Sequence, residues 1–142
     1  MIKRLDESYY DELYLLEEEI FLYHQRMRPS SFKEIPFSKK IYHDLICNEN
    51  YFIFGYFIRQ KIVGVIYVNK RDDMFYIDDI CVSKNYRNQN IGSQLLAYVE
   101  KLARDTNIKR IELDVWSFNE TAINFYQKNK FTPKTICYEK IL

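Results

Sequence analysis

One stretch of the chain, residues 76–96, joins an apolar strand to a helix through a short polar turn. The strand covers residues 77–82, and a helical pattern opens at Ile91-Gly92-Ser93. The start of a helix leaves its first backbone N–H groups without partners and adds roughly half a positive charge. Phosphate groups bind at such helix starts. We therefore predict that this turn holds a phosphorylated cofactor.

Two residues of the turn support a site for phosphate or pyrophosphate. Gly92 has no Cβ, so a ligand can come close to the main chain. Arg87 lies just before the helix, where it would add a positive charge and a forked set of hydrogen-bond donors.

The composition indicates a globular chain in which residues 1–142 form a single domain. Apolar residues make up 47% and charged residues 29%, which excludes a disordered chain. The net charge of +1 gives no general case for binding nucleic acid or an acidic membrane surface. No apolar run approaches the ~20 residues of a membrane span. Because the first residues are too charged for a secretory signal, we expect a cytoplasmic protein.

The cysteines and histidines suggest no metal site. Cys47, Cys81 and Cys137 are odd in number and match no CxxC pattern, so buried thiols are the favoured interpretation. His24 and His43 are too few and too far apart to argue for a metal.

Hydrophobic periodicity predicts the element order β-α-α-β-β-β-α-β-α-β. We expect helices at 9–26, 38–47, 91–105 and 119–129, and strands at 1–5, 51–59, 62–68, 74–82, 110–116 and 131–142. Asp6 or Ser8, Ser38 and Asn119 are the expected N-caps. Gly55 and Gly64 lie inside strands, where they indicate a bulge or a close backbone approach. The strand at 110–116 should run parallel to the one at 74–82. The fold class is therefore α/β (α+β), with a mixed sheet.

Two motifs are carried by the second half of the chain. The turn reads Arg87-Asn88-Gln89-Asn90-Ile91-Gly92, and the last helix carries Asn119, Ala122, Phe125-Tyr126 and then Lys130-Phe131. With this order of elements, the chain resembles the GNAT superfamily of acetyl-CoA-dependent N-acetyltransferases, whose pyrophosphate loop reads R/Q-x-x-G-x-G/A. The match is specific over residues 76–131 and architectural before them.

The chain departs from the family pattern at two positions. Asn90 stands where the loop has glycine, and Lys130 stands where glycine commonly ends the last helix. Asparagine tolerates positive φ better than other residues with a side chain, so we expect Asn90 to keep the loop shape. Asn129 would similarly serve as the C-cap of the last helix.

The resemblance implies where acetyl-CoA would bind. In such folds two neighbouring parallel strands splay apart, and the pantetheine arm lies in the gap. Backbone groups would contact the arm, and one N–H would polarise the thioester carbonyl; no metal is implied. The cofactor-binding residues implied by position are Ile80, Cys81, Val82, Arg87, Asn88, Gln89, Asn90, Ile91, Gly92, Ser93, Asn119 and Tyr126.

The resemblance also implies two catalytic tasks, since the amine must lose a proton and the departing thiolate should gain one. Tyr126 suits the second task, although in a chain with 13 tyrosines a core contact is a serious alternative. Asp78 and Asp79 are candidates for the first, because a carboxylate in an apolar strand is costly unless paired or used. Alternation would send them to opposite faces, and we favour Asp79 as base or amine anchor. An interpretation of equal weight is that either aspartate simply pairs with a lysine or caps a turn.

The function implied is transfer of an acetyl group to a primary amine, by direct attack in a ternary complex. A small-molecule acceptor is favoured, and it would enter between the loop at 27–37 and the hairpin, beside Tyr23, Phe32, Phe37 and Tyr67. A protein lysine or N-terminal acetyltransferase and a non-catalytic module that senses acetyl-CoA are the alternatives. An exposed edge or an exchanged final strand would support a homodimer.

Overall fold

In the computed structural model, five strands form one mixed sheet with helices on both faces. The structure describes residues 1–27 and 36–142, except for the side chains of His24, Gln25 and Met27. The sheet order follows the chain, with three antiparallel junctions and a parallel β4–β5 junction. The predicted mixed class and the parallel fifth strand are confirmed. The elements are β1 (Ile2–Arg4), α1 (Tyr10–Met27), α2 (Lys39–Cys47), β2 (Tyr51–Ile58), β3 (Lys61–Arg71), β4 (Met74–Val82), α3 (Ile91–Asp105), β5 (Arg110–Glu112) and α4 (Glu120–Lys128).

The helices begin at the predicted caps. Ser38 accepts a hydrogen bond from the Ile41 N–H at 3.2 Å, and Asn119 accepts one from the Ala122 N–H at 3.1 Å. Asp6 caps a short 3₁₀ turn, Glu7–Tyr9, that leads into α1. Over the described residues, no helix combines the length and apolar character needed to cross a bilayer.

The core lies on both sides of the sheet. We call these the α1–α2 face and the α3–α4 face, after the helices that cover them. Gly64 lets α3 start directly on the sheet, because a Cβ there would lie 2.9 Å from Ile91 Cγ2. The α1–α2 face buries Leu13, Leu16, Ile20, Tyr42, Ile53, Val65, Tyr67 and Cys81, and the α3–α4 face buries Val63, Ile66, Phe75, Ile77, Ile91, Leu95, Leu96 and Val99.

Strand β4 carries one extra residue, a β-bulge. Tyr67 of β3 pairs with Asp79 and the next residue, Val68, pairs with Ile77, so Asp78 lies opposite no residue of β3. A bulge interrupts the alternation of side chains. Asp79 pairs with Tyr67 and therefore lies on the α1–α2 face, as Cys81 does. Asp78 reaches the same face, because its carboxylate accepts a hydrogen bond from the Tyr51 hydroxyl. The prediction that Asp78 and Asp79 face opposite sides is wrong, because it assumed an unbroken strand.

The predicted final strand over 131–142 is not formed, since these residues carry no strand pairing with the described chain. Ile136, Tyr138 and Ile141 are exposed. Strand β5 is also shorter than the predicted 110–116, and it pairs with β4 over three residues only. A segment becomes a strand when it forms hydrogen bonds with a neighbouring strand. Because β5 is only three residues long, it offers residues 131–142 few backbone groups with which to pair.

Candidate active site

A gap opens in the sheet where β4 and β5 part. The two strands pair at Met74–Arg110, Phe75–Ile111 and Tyr76–Glu112, and no pair follows among the described residues. The Tyr76 hydroxyl donates to Asp114 at this point. Burial raises the pKa of Tyr76 to about 12, with the Asp114 hydrogen bond as a second cause. The splayed parallel strands expected from the sequence are therefore present.

Two backbone N–H groups of β4 point toward the gap. The Ser83 N–H donates to the Val63 carbonyl of β3 at 2.8 Å. Hydrogen-bonded pairs recur every second residue in an antiparallel ladder, so the N–H groups of Ile80 and Val82 face away from β3. The Ile80 N–H donates to the Asp79 carboxylate at 2.9 Å. Asp79 therefore lies at the edge of the gap and must release this N–H before another group can use it.

Tyr126 approaches the same gap from the other side of the sheet. Its ring packs with the core of the α3–α4 face, whereas Cys81 belongs to the α1–α2 face. Burial raises the pKa of Tyr126 above the ordinary tyrosine value, and the nearby Asp79 and Cys81 raise it further. The phenol is therefore protonated at neutral pH, and its hydroxyl lies close enough to Asp79 to sense that charge.

Asp78 has a structural pairing instead. Its carboxylate accepts a hydrogen bond from the Tyr51 hydroxyl at 2.6 Å and lies 3.9 Å from the Arg71 guanidinium. Burial raises the pKa of Tyr51, and the hydrogen bond to Asp78 adds to the effect. Of the two aspartates, the geometry brings Asp79 to the gap and engages Asp78 with the core.

The turn before α3 keeps the loop shape expected from its sequence. Asn90 has φ 65° and ψ 13°, the left-handed conformation, and Asn88 also has a positive φ of 61°. In the described chain the Asn90 side chain makes no capping hydrogen bond to α3. The N–H groups of the first helical turn, beginning at Ile91, are therefore available to an anion.

Gly92 has a packing reason for its small size. A Cβ there would lie 3.0 Å from Phe125 Cζ on α4. The glycine thus lets the start of α3 contact the helix that carries Tyr126. The sequence-based argument considered only the approach of a ligand, and that argument stays a prediction.

Helix α1 holds the turn in place. The Glu19 carboxylate accepts hydrogen bonds from the Ser83 hydroxyl at 3.0 Å and the Lys84 N–H at 2.6 Å. Arg87 donates to the Val82 carbonyl at 3.3 Å, and its guanidinium lies 5.0 Å from the centre of the Tyr23 ring. Sequence reasoning missed this role of Glu19. The signal was its spacing of four residues from Tyr23, which places both on one side of a helix.

The structure describes part of the entrance that the sequence predicts for the acceptor amine. The Tyr67 hydroxyl donates to Glu17, and burial raises the pKa of Tyr67 with Glu17 as the next cause. Glu17 thus faces the sheet rather than solvent. The Phe37 ring stacks on the Tyr10 ring, with ring centroids 5.5 Å apart, and is partly buried against the core of the α1–α2 face. Phe32 and most of the predicted entrance loop lie outside the described residues.

The predicted site residues fall into three places. Ile80, Cys81, Val82, Asp79 and Tyr126 surround the gap; Arg87, Asn88, Gln89, Asn90, Ile91, Gly92 and Ser93 form the turn and the start of α3. Asn119 is exposed at the start of α4, where its side-chain oxygen accepts the capping hydrogen bond from the Ala122 N–H.

A splayed parallel strand pair beside an uncapped helix start is the architecture of an acetyltransferase fold. The model of the acetyltransferase (GNAT) family matches residues 10–131, and the chain belongs to this family. The resemblance expected from the sequence is confirmed.

A characterised relative agrees with this assignment. The chain is 31% identical over 98 residues to streptothricin acetyltransferase of Escherichia coli, and the aligned region covers 68% of this chain and 56% of that enzyme. The chain thus spans little more than half the length of this relative.

Two solved structures share the fold at low sequence identity. The BH1408 protein of Bacillus halodurans, solved as a tetramutant, has a TM-score of 0.90 at 21% identity, covering 100% of this chain and 99% of that one. The PaiA N-acetyltransferase of Thermoplasma acidophilum, solved with coenzyme A, has a TM-score of 0.81 at 20% identity, covering 91% and 87%. These likenesses confirm the predicted GNAT-like fold.

Proposed function

We propose that the chain, acting as one domain, transfers an acetyl group from acetyl-CoA to the primary amine of a small molecule. The observation that carries this proposal is the gap between β4 and β5. Asp79 borders it from one face of the sheet and Tyr126 approaches it from the other. Membership of the acetyltransferase (GNAT) family and the coenzyme A bound by a structural neighbour support the choice of donor.

The residues present suit coenzyme A. The uncapped start of α3 and the alternating left-handed residues Asn88 and Asn90 form a concave set of N–H groups, which suits a diphosphate. The N–H groups of Ile80 and Val82 suit an extended arm lying beside β4 as an additional strand would. When bound, acetyl-CoA would supply a thioester carbon that accepts the amine and a sulfur that leaves.

The side chains at the gap divide the proton transfers. Asp79 accepts the proton that the attacking amine gives up, after it exchanges its hydrogen bond to the Ile80 N–H for one to the amine. The released Ile80 N–H then donates to the carbonyl oxygen, where negative charge develops. Tyr126 donates its phenolic proton to the departing sulfur. The proton that Asp79 accepted from the amine then passes through solvent and reprotonates the Tyr126 phenolate.

The first test is release of free thiol from acetyl-CoA over a panel of small amines and peptides, with calorimetry for binding. We expect turnover with small amines and weaker or no turnover with peptides. Turnover on peptides alone would favour a protein acetyltransferase. Binding with no turnover on any acceptor would favour a sensor, and no binding at millimolar acetyl-CoA would reject the proposal.

The second test assigns the residues. Tyr126→Phe should lower kcat by about 100-fold or more, the usual contribution of a general acid, with nearly unchanged acetyl-CoA affinity. Tyr98→Phe, on the exposed side of α3, is the matched control and should keep full activity. Asp79→Asn should change the alkaline-rising limb of the rate, whereas the neighbouring Asp78→Asn should leave it in place. Equal effects of both aspartate variants would contradict the assignment.

A further inference from the structure

Three side chains with metal-binding atoms meet outside the proposed active site. Glu7 lies in the 3₁₀ turn after β1, and His43 and Cys47 lie on α2. The His43 Nδ1 atom is hydrogen-bonded to the Glu7 carboxylate, and its Nε2 atom is 3.5 Å from Cys47 Sγ. One ligand atom from each residue lies within 4.8 Å of the other two. The cluster is exposed, so an ion can reach it from solvent.

The fold holds these residues together for local reasons. His43 and Cys47 are four residues apart on a helix, so their side chains share one side of α2. Tyr42 is fully buried, and its hydroxyl donates to the Asp6 carbonyl, which anchors α2 beside Glu7. The sequence argument against a metal considered the cysteines and the histidines separately. The spacing between His43 and Cys47 was the signal that it left out.

We propose that this cluster binds one zinc-type divalent ion, through the Cys47 thiolate and His43 Nε2. Cys47 Sγ lies 3.5 Å from His43 Nε2 and 4.0 Å from Nδ1, so the sulfur lies beside the ring and not yet in line with the Nε2 lone pair. Rotation of the exposed Cys47 side chain about χ1 would place the sulfur in front of Nε2, where tetrahedral zinc separates its sulfur and nitrogen ligands by about 3.6 Å. Glu7 accepts the Nδ1–H and orients the ring, as carboxylates commonly do behind a metal-bound histidine. Water completes the coordination.

The ligand types decide which ion fits. Thiolate and imidazole together favour Zn²⁺ and its analogue Co²⁺ over Mg²⁺ and Ca²⁺, which prefer oxygen ligands. Binding displaces the thiol proton of Cys47 to solvent and needs the neutral form of His43. The ion would connect α2 to the segment between β1 and α1, so its binding should stabilise the fold by mass action.

The test is a zinc titration of the full chain against a chromophoric chelator, with Co²⁺ as a spectroscopic probe. We expect one equivalent of zinc, a thiolate-to-cobalt charge-transfer band, and a Tm that rises with zinc. Cys47→Ser and His43→Gln should abolish the band and the rise in Tm. Glu7→Gln should weaken binding about 10- to 100-fold while keeping the band, because it acts through the ring.

Cys137→Ser is the matched control, since Cys137 is also an exposed cysteine. It should bind zinc as the parent chain does. Glu7, His43 and Cys47 are all exposed, so each variant should keep the Tm of the zinc-free parent chain, which checks folding. Absence of zinc binding, equal losses in Cys47→Ser and Cys137→Ser, or half an equivalent per chain would overturn the proposed site.

Discussion

Replacing Gly64 with alanine tests whether the close contact between β3 and α3 positions the proposed cofactor site. The new methyl group would lie 2.9 Å from Ile91 Cγ2 and 3.3 Å from Leu95 Cδ1. Carbon atoms in ordinary contact are about 3.5–4.0 Å apart, so the start of α3 must move by roughly half an ångström or more. The Cγ2 atom of a β-branched side chain cannot simply swing away.

The expected cost follows from two opposing terms. Overpacking of a core costs about 1–3 kcal/mol, and replacing a glycine inside a strand recovers about 0.5–1 kcal/mol. We therefore expect a net loss of about 0.5–2 kcal/mol, which lowers Tm by a few degrees at about 2–4 °C per kcal/mol. Moving the helix start should also weaken its contact with the diphosphate by about 1 kcal/mol. This predicts a rise of about fivefold in KM for acetyl-CoA.

Gly55→Ala is the control for this experiment. Its Cβ would lie 3.0 Å from Leu5 Cδ2 and 3.2 Å from Phe57 Cε2, on the α1–α2 face and away from α3. Thermal melts should show a similar loss of Tm in both variants, and thiol-release kinetics should show the rise in KM only for Gly64→Ala. An unchanged KM in Gly64→Ala, or an equal rise in both, would refute the reasoning.

Three further changes probe other parts of the molecule. Lys130→Gly should stabilise the chain by about 0.5–1 kcal/mol in urea denaturation, because Lys130 has φ 72°; lower stability would contradict this. Gly92→Ala should lower Tm, because the added methyl group would press on Phe125, and adding Phe125→Leu should recover part of that loss. An unchanged Tm in Gly92→Ala would mean that Gly92 serves only ligand binding. Burial raises the pKa of Tyr42 and Tyr51 in the folded state, so above pH ~10 the unfolded chain releases phenolic protons that the folded chain still holds. The free energy of unfolding should therefore be unaffected by these groups below pH ~10 and should fall as the pH rises above it. Urea melts between pH ~9 and ~11 should show this decline, and it should be shallower in Tyr51→Phe.

The parts of the fold with local signals were predictable. Strand β4 and helix α3 have the expected bounds, because their periodicity is strong and their ends carry polar turns. Asn119 caps α4 as expected, since a cap needs only its own helix. Asn90 takes the left-handed conformation that its side chain tolerates. The turn before α3 could therefore be placed from sequence alone.

The features that depend on distant partners were not predictable. The bulge at Asp78 comes from the register between β3 and β4, which no local pattern encodes. The final strand was expected from hydrophobic periodicity, but a strand also needs a hydrogen-bonded neighbour along its length. Glu19 reaches Ser83, 64 positions away in the chain, so its role emerges only when α1 packs on the sheet.

The extra residue in β4 decides which losses of length the strand can absorb. Ile77 lies in the core of the α3–α4 face and Asp79 pairs with Tyr67 of the α1–α2 face, so these two residues would alternate regularly if Asp78 were absent. Deletion of Asp78 should therefore straighten the strand, keep Asp79, Ile80 and Cys81 on their present faces, and remove the hydrogen bond to Tyr51. Loss of a regularly paired residue instead would turn part of the strand to the opposite face. The bulge is thus the position in β4 where natural variation could shorten the strand and leave the gap lined as it is.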